Sequence, residues 1–178
     1  MGSVRTLLLA GLSGVALAGC HAAAPTDPPH VAAADPVAAG RYLVTVGGCN
    51  DCHTPGWAET AGATPEKAWL TGAPVAWVGP WGATYPANLR LVAQHVTEDE
   101  WVAMLKTRTA RPPMPWMNVN RMPDSDTRAL YRFIRSLGPA GVPAPAALAP
   151  GQTPATPFIR MAPEAPKLAS RVRLRVEG

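Results

Sequence analysis

Cys49-Asn50-Asp51-Cys52-His53 is the stretch from which the rest of this chain is read. Two cysteines separated by two residues, with histidine directly after the second, form the attachment pattern for c-type haem. The spacing has a chemical reason. The two thiols add across the two vinyl groups of the macrocycle, and the two-residue gap matches their separation. His53 is thereby brought beneath the iron, where its imidazole binds axially. Other uses of a Cys pair remain open at this point: a zinc ligand pair, a redox dithiol, or chance. Zinc needs about four ligands and the chain has no second Cys pair. A redox pair has no need of the histidine. The expectation is one covalent haem c on Cys49 and Cys52, with His53 as the proximal iron ligand.

The chain has 178 residues, which suits one domain of ordinary size. Charged residues are sparse at 16%, and the 21 prolines point to long loops. The net charge of +4 is unevenly placed, because residues 160–178 alone contribute +3 through Arg160, Lys167, Arg171, Arg173 and Arg175 against Glu164 and Glu177. Basic residues gathered in a tail are not the patch interleaved with aromatics that marks a nucleic-acid surface, so no nucleic-acid partner is expected. The tail reads as a solvated end.

Residues 1–19 read as an export signal. Arg5 supplies the positive start and Thr6–Ala18 is an apolar or small-residue run, too short for a spanning helix of about 20 residues. The run ends in Leu17-Ala18-Gly19-Cys20, which resembles the lipobox of bacterial lipoproteins. That resemblance implies cleavage before Cys20 and lipidation of its thiol. Ordinary cleavage with a free thiol is the alternative. Lipidation accounts for the odd cysteine without a disulfide, and more than one acyl chain anchors stably. Residues 20–34, rich in Ala and Pro and carrying His21 and His30, read as a linker. Extended at about 3.1 Å per residue, it reaches roughly 45 Å from a membrane.

Residues 35–139 read as the folded domain. Asp35-Pro36 is a helix start, and Val37, Gly40, Leu43 or Val44, and Val46 or Gly47 recur at near-helical spacing. Gly40 suits the close approach of another helix. Thr54–Arg90 reads as a loop wrap containing Trp57, Trp69, Trp77 and Trp81, whose indoles suit covering a porphyrin. Trp81, Tyr85, Asn88 and Arg90 are candidate donors to haem propionates. Thr97 and Glu100 form a capping box that opens a second helix bearing Trp101, Met104 and Leu105. Pro112-Pro113-Met114-Pro115-Trp116-Met117 is stiffened by proline and denied a helix. Such a segment can hold a thioether at a fixed distance from iron, and His/Met ligation raises the potential. Met114 is the first candidate for the distal ligand and Met117 the second, ahead of Met122, His95 or an open site. A last helix runs from Asp124 or Ser125 to Gly138-Pro139, with Leu130, Tyr131, Phe133, Ile134 and Leu137 at spacings of three and four. Residues 140–178 form a Pro/Ala-rich, basic extension. Only Arg171–Val176 alternates in the manner of a strand.

The helix before Cys49, the CNDCH motif, the Met-Pro segment and the closing Leu-Tyr-Arg-Phe-Ile-Arg-Ser-Leu helix together resemble class I c-type cytochromes. More narrowly, Tyr85-Pro-Ala-Asn-Leu89, the Thr-Glu-Asp-Glu-Trp helix and Pro-Pro-Met-Pro-Trp resemble cytochrome domains that serve membrane-associated dehydrogenases. Over about residues 35–139 the resemblance implies an all-α fold, with N- and C-terminal helices crossing beside the haem. It implies His53 as proximal ligand, Met114 as distal ligand, and Asn88 near a propionate. This chain departs from the usual dehydrogenase cytochrome subunit in having one haem motif rather than several.

The expected function is electron transfer by a carrier rather than an enzyme. The carrier faces the periplasm on a lipid tether to the inner or outer membrane, and its redox partners are a dehydrogenase or oxidase. A haem enzyme or gas sensor with an open distal site is the alternative.

Overall fold

The computed structural model describes residues 28–163. The expected leader over 1–19, the lipidated Cys20, His21 and the alternating segment 171–176 lie outside the described residues.

Local chemistry sets the first helix, α1 (Pro36–Val46). The Asp35 carboxylate accepts from Val37 N at 2.8 Å, Pro36 takes the first turn, and Gly47 caps the end. After it, Gly48 turns the chain at φ +66° into a second short helix, α2 (Cys49–His53). A 3-10 turn at Glu66–Ala68 precedes two short strands, β1 (Ala76–Gly79) and β2 (Gly82–Thr84), which pair antiparallel around Pro80-Trp81. Then follow α3 (Leu89–Gln94), α4 (Glu98–Thr107), α5 (Trp116–Val119), α6 (Asp124–Ser136) and β3 (Phe158–Arg160). Strand β3 pairs parallel with β1, Trp77 opposite Ile159, giving the order β2-β1-β3.

The expectation of an all-α fold is therefore overturned. Among the described residues, six α-helices share the molecule with a three-stranded mixed sheet. The physical reason lies in residues 140–163, expected to be a loose extension. They return along the body: Leu148 bridges Ala83, and β3 adds to β1 through Ala76 N donating to Pro157 O at 2.9 Å and Met161 N to Val78 O at 2.7 Å. A hairpin of four and three residues is marginal alone, and the returning strand gives it a third partner.

The core lies where α1 meets α6. It is built from Ala39, Leu43 and Val44 of α1, Trp69 and Leu70 of the loop, Ala93, Trp101 and Leu105 of α3 and α4, and Ala129, Leu130, Phe133 and Ile134 of α6. At Gly40 the helices touch so closely that a Cβ would stand 2.0 Å from Ala129 O and 2.7 Å from Phe133 Cβ. Tyr131 faces away from this crossing. Its hydroxyl donates to Val96 O at 2.9 Å and its ring packs near Trp101. Arg128 and Arg132 both pair with Glu98 and so strap α6 to α4. No helix among the described residues is long and apolar enough to cross a membrane.

Candidate functional site

Helix α2 presents the cysteine pair. Its entry depends on Gly48, because glycine adopts this left-handed backbone at little cost and other residues are strained there; a Cβ would also meet Asp51 Oδ2 at 2.9 Å. Cys49 and Cys52 are free and half-buried. Burial, with the Asp51 carboxylate adding to it, pushes the Cys49 thiol up to about 11. Burial first and Asp51 second raise Cys52 as well. Reactive redox dithiols have lowered thiol values, so this environment disfavours a redox role for the pair.

His53 is buried and its orientation is set. Its Nδ1 lies 2.7 Å from Ala87 O. A carbonyl only accepts, so Nδ1 carries the proton and Nε2 keeps its lone pair. Burial lowers the affinity of the ring for a second proton, with the Ala87 bond opposing in part, so the ring is neutral at pH 7. This is the arrangement of a metal-binding imidazole, oriented by a backbone carbonyl behind it. The carbonyl is itself fixed. Leu89 N donates to Leu70 O at 3.0 Å, Leu70 N donates to Thr54 Oγ1 at 2.8 Å, and Thr54 Oγ1 donates to Asn50 Oδ1 at 2.7 Å. Gly72 N closes the loop on His53 O at 2.8 Å. Asn50 and Thr54, which carry no signal of this role in the sequence, tie the motif helix through Leu70 to the stretch of loop that holds Ala87.

Among the described residues no group of three or more His, Cys, Asp or Glu side chains could hold a metal ion by itself. The two thiols and the imidazole thus do not gather as a zinc site. Their chemistry suits a covalently held haem, which needs two thiols for its rim and one separate imidazole for its iron. Among the described residues three buried N–H donors have no partner: Asn50 Nδ2, Trp81 Nε1 and Trp116 Nε1. Unpaired buried donors are costly, and each of these is open to a polar atom of a bound group.

The remaining candidates divide. Met114 is half-buried at the proline turn, where its carbonyl accepts from Trp116 N at 2.9 Å. Met117 is 69% exposed on α5. That short helix begins at Trp116, directly after Pro115, and so corrects the expectation that prolines deny this segment a helix. Met122 packs against the core. His95 is exposed at the end of α3. Trp81 keeps its free N–H. Tyr85 is engaged, its hydroxyl accepting from Thr156 Oγ1 at 3.2 Å. Asn88 is committed on every side. Its Oδ1 caps α3 by accepting from Leu91 N at 3.1 Å, and its Nδ2 donates to Ala140 O at 2.8 Å and Val142 O at 3.2 Å. Arg90 spends its guanidinium on the carbonyls of Lys67, Leu137 and Gly138. Asn88 therefore pins the start of the returning segment, and Arg90 ties the end of α6 to the loop at Lys67. Of the wrap tryptophans, Trp57 and Trp69 meet edge to face at 5.3 Å between centroids, and Trp69 continues onto Phe133.

A cavity of about 720 Å³ lies elsewhere, between residues 30–36 and α6. Its charged walls, Arg128 and Arg132, are already paired with Glu98, so it holds no unspent chemistry. Comparison with protein-family models, with curated proteins and with solved structures returns no match for this chain.

Proposed function

We propose that the chain is a single-haem electron carrier of the c-type cytochrome kind. It faces the periplasm on a lipidated Cys20 and exchanges single electrons with a membrane-associated dehydrogenase or oxidase. The observation that carries this reading is His53: a buried, neutral imidazole, directly after a protonated thiol pair, with Nδ1 spent on Ala87 and Nε2 left for a metal. Bound haem supplies one-electron chemistry at its iron, with a potential set by ligation, burial and hydrogen bonding.

The chain's residues do the rest. Cys49 and Cys52 would hold such a group covalently through their two thiols, which are free and half-buried. His53 through Nε2, and Met114 through its thioether, would be the residues that hold the iron. Half-burial and flanking prolines favour Met114 over the exposed Met117. Trp81 Nε1, Trp116 Nε1 and Asn50 Nδ2, buried donors without a partner among the described residues, would be free to bond polar atoms of a bound group. Two protein ligands would leave no place for a substrate, and that is the ground on which a carrier is preferred to a haem enzyme or gas sensor.

Absorption and mass spectra of the full chain, exported by a cell that matures c-type haem, test the reading. A thioether-to-iron band is expected in the oxidised protein, lost in Met114→Ala and kept in Met117→Ala. High-spin ferric haem with rapid ligand binding in the wild type would sink the carrier assignment.

A further inference from the structure

Residues 82–88 form a short connector that touches both candidate iron ligands' supports. Towards its end, the Ala87 carbonyl faces His53 Nδ1 at 2.7 Å. Earlier in it, Thr84 Oγ1 donates to Pro112 O at 2.7 Å. Pro112 stands just before Pro113-Met114, and the two proline rings leave the chain between them little rotation. The connector is held from outside by the returning segment. Asn88 Nδ2 donates to Ala140 O at 2.8 Å and to Val142 O at 3.2 Å. Thr156 Oγ1 donates to the Tyr85 hydroxyl at 3.2 Å. Leu148 and Ala83 bond in both directions, Ala83 N to Leu148 O at 3.1 Å and Leu148 N to Ala83 O at 2.9 Å. Leu148 O also accepts from Arg111 Nη1 at 2.8 Å, so one carbonyl grips both the connector and the residue before Pro112. The fit is close. A Cβ on Gly82 would stand 2.2 Å from Leu148 O, and one on Gly141 would stand 3.0 Å from Asn88 Nδ2.

We propose that residues 140–156 are a brace that holds Met114 in register with His53, with Leu148 and Thr84 as positioning residues for the methionine. The proposal rests on the electron-carrier reading and deepens it, because it says what keeps the second iron ligand in place. A segment that served only to complete the sheet would need β3 alone. The bonds of residues 140–156 fall before β3, on the residues that flank Ala87 and on Arg111. Asn88 anchors the brace beside the carbonyl behind His53, and Leu148 anchors it beside the methionine segment. A thioether is a soft, uncharged ligand, so how well it competes with a free ligand depends on how much of the chain around it is already ordered. Releasing Leu148 or Thr84 frees residues 111–115 without touching Met114 itself, and the methionine then competes less well.

The test is displacement of the methionine by free imidazole in the haem-loaded, oxidised full chain, read as loss of the thioether-to-iron band, beside urea unfolding of the same variants. Leu148→Pro removes the N–H given to Ala83, and Thr84→Val removes the hydroxyl given to Pro112. Each is expected to raise the affinity for imidazole by on the order of fivefold, the size of one lost hydrogen bond. Thr84→Ser should bind imidazole as the wild type does. Glu98→Gln, which removes the ion pairs tying α6 to α4, should lower the urea midpoint and leave imidazole affinity unchanged. Should Leu148→Pro fail to load haem, the conservative Thr84→Val decides alone. A Thr84→Val protein that keeps the band and binds imidazole as the wild type does overturns the brace and leaves the carrier reading intact. A rise in Glu98→Gln equal to that in Thr84→Val also overturns it, because general stability would then account for the effect. A haem-loaded wild type without the thioether band overturns the brace and the carrier reading together.

Discussion

Replacing Thr54 by valine removes one hydroxyl and almost no volume, yet it should loosen the support behind His53. The hydroxyl donates to Asn50 Oδ1 at 2.7 Å and accepts from Leu70 N at 2.8 Å. Asn50 and Leu70 are 1% and 0% exposed, so water cannot replace either bond. Valine leaves one buried donor and one buried acceptor unpaired, and each costs about 1–3 kcal/mol. The sum, about 2–5 kcal/mol after some relaxation, is a large share of a typical domain stability of about 5–15 kcal/mol. Urea unfolding of the haem-loaded protein at fixed salt should show a lowered midpoint with unchanged slope. Thr54→Ser keeps the hydroxyl and should stay within about 1 kcal/mol of the wild type. A valine loss below about 0.5 kcal/mol, or an equal loss in the serine variant, would refute the reasoning: the hydroxyl would then not be the link between the motif helix and Leu70.

Gly40→Ala should destabilise despite a better helix propensity of about 1 kcal/mol, because the added Cβ would stand 2.0 Å from Ala129 O and neither backbone can yield; a raised thermal midpoint would contradict this. Glu98 is held below its ordinary value of 4.5, chiefly by its hydrogen bond to Arg132 and then by Arg128, against an opposing effect of burial. A depressed folded-state value stabilises above the unfolded one, so the stability gap between wild type and Glu98→Gln should be constant near neutral pH. It should shrink as pH falls below about 4.5, read by urea midpoints across acid pH. A gap that widens in acid would reverse the assignment.

The helices with strong local signals are legible in the sequence. Asp35-Pro36 does start α1, and Thr97 and Glu100 form the capping box, with Glu100 accepting from Thr97 N at 2.7 Å. Gly40 meets α6 because only a residue without Cβ permits that approach. The sheet is not legible, for a physical reason. Its strands are three or four residues long, too short to show alternation, and β3 pairs with a strand far earlier in the chain. That pairing leaves no local trace in Phe158-Ile159-Arg160. Asn88 had a readable signal that the donor reading obscured: it stands before Leu-Arg-Leu-Val-Ala-Gln, a run suited to a helix, and it caps α3. The motif itself is a sequence feature. The carbonyl of Ala87 that orients His53 is not, since any residue could supply it.

The central claim is that Cys49 and Cys52 carry haem and His53 binds its iron. Mass spectrometry of the peptide spanning 49–53, from full chain exported alongside a control cytochrome in a haem-maturing cell, tests it most directly. The account predicts haem bound through two thioethers in the wild type, one in Cys49→Ser or Cys52→Ser, and none in the double variant. Free thiols on the wild-type peptide, with the control fully loaded, would contradict it.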